Sequence, residues 1–194
     1  MNLQGKIQKL EKEKRKLLKE FERFTKESNE QELFNFMLSG EYSKFYNFVN
    51  NKYSCKSPEW NERLTSCDKY IGLLKKIENI ANFQTIFNKK HEENENGYKV
   101  GDVFYSSWGY EQTNIDFYQV IATSKKTIWV AEIKANAHYE GWGQGKKSPI
   151  KNSFTFDKKV FKTLSNSPKV REENGFVGSI CKYNGRPKYF SNDY

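Results

Sequence analysis

The densest run of side chains able to recognise a ligand is Trp108-Gly-Tyr-Glu-Gln-Thr-Asn-Ile-Asp-Phe-Tyr-Gln119. Trp108 and Tyr110 flank a glycine, and Gln112, Thr113 and Asn114 follow. Exposed rings stack on nucleic-acid bases at about 1–3 kcal/mol each, and amides hydrogen-bond base edges or backbone. The same residues also suit a β-turn whose amides satisfy its own backbone and whose rings enter a core. A second run is basic. Between Lys134 and Lys162 lie seven lysines (134, 146, 147, 151, 158, 159 and 162) against two acids, with Tyr139, Trp142, Phe154 and Phe156 interleaved. Charge and rings on a glycine-softened loop are what single-stranded or A-form nucleic acid requires. The alternative is a solvated loop kept soluble by lysine. The candidate binding residues are therefore Trp108, Tyr110, Gln112, Asn114, Trp142, Lys146, Lys147, Lys151, Lys158 and Lys159. If about five lysines met phosphates, the log–log salt slope of binding would be roughly −3.5 to −4.5.

Signals for catalysis are sparse. The only histidines are His91 and His138, and no GxSxG, HExxH, P-loop or GxGxxG occurs. Gly141-Trp-Gly-Gln-Gly145 is glycine-rich like a phosphate loop but lacks the Lys-Ser/Thr ending and a following helix. Asp102, Asp116 and Glu132 sit at strand positions that permit a shared site with Lys134 and His138, as in a metal-dependent nuclease. Nothing requires that arrangement, and the expectation is a non-catalytic protein with no cofactor. Cys55, Cys67 and Cys181 are odd in number and have no metal-ligand spacing, which argues against a disulfide framework or zinc site and fits a reducing cytoplasm.

The elements that must carry these residues divide the chain by period. From Leu3 the apolar residues Leu3, Ile7, Leu10, Leu17, Phe21 and Phe24 follow an a/d heptad with Lys14 in one slot, predicting a helix over 2–27. Two readings stand for that stripe: packing back along a later helix, or a helix-mediated dimer. Ser28-Asn-Glu-Gln31 has the form of a capping box before a short helix through Leu38. Gly40 ends that helix, and another short one spans 41–51. Ser57-Pro58-Glu59 starts a long helix through Trp60, Leu64, Cys67, Ile71, Leu74 and Ala81, extended by Phe83, Ile86 and Phe87. Gly72 inside it suggests a close helix crossing. Residues 92–98 read as a linker between a helical domain, 1–91, and a basic, aromatic-rich β domain, 99–194.

Beyond the linker the period falls to 2. Strands are expected over 100–108, 115–123 and 127–134, with a tight turn at Ser124-Lys-Lys126. Residues 135–145 read as irregular, 150–156 as a fourth strand and 157–164 as a short helical pattern. Strands over 176–183 and 186–190 would be joined as a hairpin at Asn184-Gly185. The fold class expected is α+β: a helical bundle or hairpin, then a small antiparallel β-barrel-like domain.

The runs GDVFYSSWGYEQTNIDFYQV and YNGRPKYFS resemble a group of small proteins encoded by phages, plasmids and other mobile elements. The likeness covers residues 99–194 only. It implies a mobile-element origin, and with it an accessory or defence-counteracting role, and it carries over no catalytic residue.

Charge agrees with a polyanionic partner without naming one. The net charge is +9; residues 98–194 hold 15 basic and 9 acidic side chains, or +6, against 18 and 15, or +3, before them. Such a surface attracts phosphate polyanions and acidic proteins alike. With no apolar leader and no run of about 18 apolar residues, a cytoplasmic location is expected. The partners expected are RNA, single-stranded DNA or a nucleoprotein effector of host defence such as a CRISPR complex, with an acidic protein surface as the alternative. The chain would act as a monomer or a helix-mediated dimer.

Overall fold

A computed structural model describes residues 2–89, 91–141, 143–171 and 177–191. The chain forms two compact units, Met1–Glu78 and Asn79–Tyr194. The architecture is α+β, four helices followed by an antiparallel, curled sheet.

In the first unit the apolar stripe of α1 (Leu3–Glu27) turns inward over its second half. Leu17, Leu18, Phe21 and Phe24 pack with Leu33 and Met37 of α2 (Gln31–Ser39), Phe45 and Val49 of α3 (Tyr42–Lys52) and Cys67 and Tyr70 of α4 (Pro58–Phe87). Internal packing therefore uses this part of the heptad seam, and Lys14 pairs with Glu11 at 2.8 Å. Asn2 caps α1 by accepting from Gly5 N, and Ser57 Oγ accepts from Trp60 N at the start of α4. Gly40 closes α2 in the left-handed conformation, φ +76°, as its position predicted.

The expected capping box at 28–31 is not formed. Ser28 ends α1, its hydroxyl donating to the Phe24 carbonyl, and the α2 cap residue Glu30 makes no side-chain cap bond. Glu30 has a stronger partner. Its buried carboxylate meets Arg63 Nη2 at 3.1 Å and Lys52 Nζ at 2.8 Å, while the guanidinium lies between the Phe24 and Tyr53 rings, 4.1 and 4.8 Å from their centroids. Burial alone would raise the Glu30 pKa; hydrogen bonds from Lys52 and Ser28 and the Arg63 charge outweigh it and hold the carboxyl below its ordinary value. Gly72 has nothing within 4 Å of where a Cβ would stand, so no close crossing explains it.

The second unit builds a seven-stranded sheet ordered β8-β1-β2-β3-β4-β9, with β5 beside β3. Its central strands, β1 (Val103–Trp108), β2 (Asn114–Thr123) and β3 (Thr127–Gly141), lie where alternation placed them, except that β3 runs on to Gly141. Residues 135–141, 144 and 145, read as irregular, are accordingly strand, part of a long antiparallel pairing of β3 with β4 (Gln144–Phe154). Gly145 makes that pairing possible, since a Cβ there would stand 2.1 Å from the His138 carbonyl oxygen. The helical pattern read over 157–164 is strand β5 (Phe161–Leu164), whose Phe161 and Thr163 alternate inward.

The Asn184-Gly185 hairpin is also corrected. β7 (Val177–Ser179) pairs with β6 (Lys169–Arg171), β8 (Cys181–Lys182) with β1, and β9 (Lys188–Ser191) with β4. The turn instead joins the two ends of the strand order over residues 183–187. So short a connection closes only if the sheet curls, and side chains from distant strands confirm the curl: Lys188 Nζ of β9 lies 4.3 Å from the Tyr105 ring of β1. The result is a half-barrel.

One face of the central strands packs a core of Phe104, Tyr118, Val120, Ile128, Val130, Phe161, Val170 and Ile180. Phe83, in the last turns of α4, packs on Phe154 and Phe156, 4.7 and 5.4 Å between ring centroids. Residues 92–98 do not run free as a linker. Glu92 N donates to Thr123 O, Asn94 Nδ2 to Ser124 O and Asn96 Nδ2 to Ser165 Oγ, tying the segment to the β2–β3 turn and to β5. Among the described residues no helix is long and apolar enough to cross a membrane.

Candidate functional site

The β1–β2 turn presents the rings that the sequence singled out. Tyr110 is 88% exposed and Trp108 40% exposed. Gly109 allows the turn: φ is +133°, and a Cβ there would lie 2.3 Å from the Gln112 carbonyl oxygen. Trp108 and Asn114 face each other across the ladder, so their side chains share one face of the sheet. The turn is sealed to the far end of the sheet by reciprocal backbone bonds between Thr113 and Ser191, 3.0 and 3.1 Å. Gln112 is half-buried. Asn114 Nδ2 is buried without a hydrogen-bond partner.

Trp108 is anchored rather than loose. Its indole Nε1–H donates to Asp116 Oδ2 at 2.9 Å. Lys158 Nζ lies 3.6 Å from the same oxygen and 3.0 Å from Glu132 Oε1, and Glu132 Oε2 accepts from Thr155 Oγ1 at 2.7 Å. Lys158, expected as a binding lysine, is thus a brace between two carboxylates of neighbouring strands. A positive charge held in place between two acids contributes little to an outward field.

Strand register sorts the other lysines. His138, Lys146 and Tyr189 form one cross-strand row on β3, β4 and β9. By alternation along β3 that row continues the face of Glu132, Lys134 and Asn136, the face that Trp108 and Asp116 share. Lys146 and Tyr189 are exposed there; Lys146 Nζ lies 2.7 Å from Glu140 Oε1, and Tyr189 Oη donates to Gln144 Oε1. Lys147, the next residue, points to the opposite face, where its Nζ sits 4.8 Å from the Phe190 ring. Strand period 2 therefore sets Lys146 and Lys147 on opposite faces of the sheet. Lys151 and Lys159 are both exposed, Lys151 in the irregular part of β4 next to Asn152, which exchanges two hydrogen bonds with Gln119. Trp142 lies outside the described residues.

Of the groups considered for a nuclease, Asp116 and Glu132 meet at Lys158, whereas Asp102 and His138 lie away from them. Asp102 pairs with Lys182 at 2.9 Å and sits four residues along β1 from Ser106, the partner of Asp116, or about 13 Å. His138 is six residues along β3 from Glu132, about 20 Å. Among the described residues no group of three His, Cys, Asp or Glu is placed to hold a metal ion.

Sequence reasoning missed the contribution of β9. Tyr189 joins the exposed row, and Lys188 lies directly opposite Lys147 on the other face. Period-2 alternation in KYFS carried that signal, but the pairing with β4 did not show in the chain order. No family model, curated protein or solved structure matches the chain.

Proposed function

We propose that the protein is a non-catalytic accessory factor of a mobile element, whose β unit docks on single-stranded nucleic acid or on a nucleoprotein effector of host defence in the cytoplasm. The observation that carries this reading is the display of Trp108 and Tyr110 on one glycine turn, the first ring braced and the second almost wholly exposed. A fixed indole beside an exposed phenol offers bases two stacking faces at little ordering cost. Lys134, His138, Lys146 and Tyr189 extend the same face and supply cationic and hydrogen-bonding contacts. The resemblance of residues 99–194 to mobile-element proteins supports the accessory role, with a CRISPR complex as one effector of the right chemistry.

The charge balance of that face favours a second reading. Lys134, Lys146 and Lys158 are matched by Asp116, Glu132 and Glu140, of which all but Lys134 are engaged in ion pairs. A neutral, ring-bearing face suits a protein partner, in which case the protein is an inhibitor or adaptor that never touches nucleic acid. Fluorescence anisotropy with labelled single-stranded DNA and RNA at about 50 and 200 mM salt separates the two readings, since phosphate contacts weaken steeply over that range. Binding at low salt that weakens at high salt supports the nucleic-acid reading. No binding at low salt eliminates it and leaves the inhibitor.

A further inference from the structure

We infer that the concave face of the half-barrel holds a second site, a two-lysine clamp formed by Lys147 and Lys188, that takes a ligand carrying two adjoining anionic phosphates. The two residues are directly opposed on β4 and β9, which brings their Cβ atoms to roughly 5 Å. Like charges so placed repel, and neither lysine has a carboxylate partner among the described residues. Each ammonium instead rests on an aromatic ring. Lys147 Nζ lies 4.8 Å from the Phe190 centroid, and Lys188 Nζ lies 4.3 Å from that of Tyr105 and 5.8 Å from that of Tyr183. Asn184 Oδ1 accepts from Lys188 Nζ at 3.1 Å and fixes its direction.

The floor beneath is rigid. Phe190 is fully buried, Tyr139 packs edge-on against it at 5.3 Å, and Tyr183 stacks edge-on against Phe117 at 5.5 Å. Tyr183 N also donates to the Val103 carbonyl at 2.8 Å. Two half-buried cations without counter-charges among the described residues, held apart by rings on a fixed floor, match paired anions better than one. Rings leave the ammonium hydrogens that point away from them able to donate to phosphate oxygens. A diphosphate and two successive phosphodiesters of a nucleic-acid strand both present that chemistry. The clamp does not depend on the Trp108 face, which is the opposite face of the same sheet.

The test is isothermal titration calorimetry of the full chain with sodium pyrophosphate, and separately with an oligothymidylate. The wild type is expected to show one saturable pyrophosphate site. K147Q and K188Q each weaken it roughly tenfold, the size of one charge-assisted hydrogen bond. The doubly substituted K147R/K188R retains it, and K125Q, at a lysine paired with Glu95 on the β2–β3 turn, leaves it unchanged. Ring-proton shifts of Tyr105, Tyr183 and Phe190 on adding pyrophosphate to the wild type give a second readout that needs no variant. No saturation by about 10 mM pyrophosphate, an affinity below what two charge-assisted bonds give, overturns the clamp. So do wild-type affinities in both glutamine variants, or ring protons that do not move. Oligothymidylate that displaces pyrophosphate identifies the phosphates as those of a strand; failure to displace it identifies a diphosphate ligand. Y110A, which removes the exposed ring of the β1–β2 turn, is expected to leave pyrophosphate binding intact, so the clamp and the stacking rings fail separately.

Discussion

Replacing Lys158 by glutamine distinguishes a lysine that braces the fold from one that meets a ligand. Its Nζ lies 3.0 Å from Glu132 and 3.6 Å from Asp116. At an effective dielectric near 20 the gross attraction to the nearer oxygen is about 5 kcal/mol. The side chain is only 28% exposed, but water reaches the site and screening cuts this several-fold. Loss of the cation also leaves two partly buried carboxylates on adjacent strands facing each other. A net cost of roughly 1–3 kcal/mol follows. For a unit of this size that lowers the melting temperature by about 4 °C per kcal/mol. The assay is thermal and urea unfolding of K158Q beside K146Q, with oligonucleotide affinity measured on both. K158Q should melt several degrees below the wild type and, assayed well below its melting point, bind with nearly unchanged affinity; K146Q should do the reverse. A K158Q protein of wild-type stability whose binding falls as far as that of K146Q would refute the assignment.

Y110A should leave stability unchanged and weaken oligonucleotide binding by about 1–3 kcal/mol, the value of one base stack, read by anisotropy. Arg63→Met should destabilise the helical unit by roughly 1–3 kcal/mol in urea unfolding, because it removes the buried one of the two cations that pair with the Glu30 carboxylate and leaves only the half-exposed Lys52. The folded pKa of Glu30 lies below its unfolded value, so its ionised form stabilises the unit above about pH 4.5, and that contribution fades as pH falls through the lowered value. Glu30→Gln should therefore flatten the stability–pH profile in the acid range while lowering stability at neutral pH. Gly145→Ala should cost about 1–3 kcal/mol or more, since its Cβ would meet backbone of the opposite strand; unaltered melting would contradict the close approach.

Local chemistry was legible and pairing at a distance was not. The cap Ser57 and the stop at Gly40 act through neighbours a few residues away, and their signals were clear. The capping box at 28–31 failed because Ser28 is still bonded to the end of α1 through the Phe24 carbonyl, and α2 starts only at Gln31. The glycines of 141–145 read as loop, yet Gly145 is present because strands approach closely there. Asn184-Gly185 is a genuine turn with a misjudged role, since the partners of β8 and β9 lie 41 to 78 residues earlier. The rings of the site were visible as a run. Which lysines stood with them depended on contacts distant in the chain: register split Lys146 from Lys147, and Asp116 and Glu132 hold Lys158.

Ultraviolet cross-linking of the full chain to 4-thiouridine- or 5-iodouridine-labelled single strands, followed by peptide mapping, tests most directly whether nucleic acid stacks on the exposed rings of the β unit. The expected result is an adduct at Trp108 or Tyr110, abolished in the doubly substituted W108A/Y110A. Adducts confined to the helical unit, or none at low salt, would contradict it.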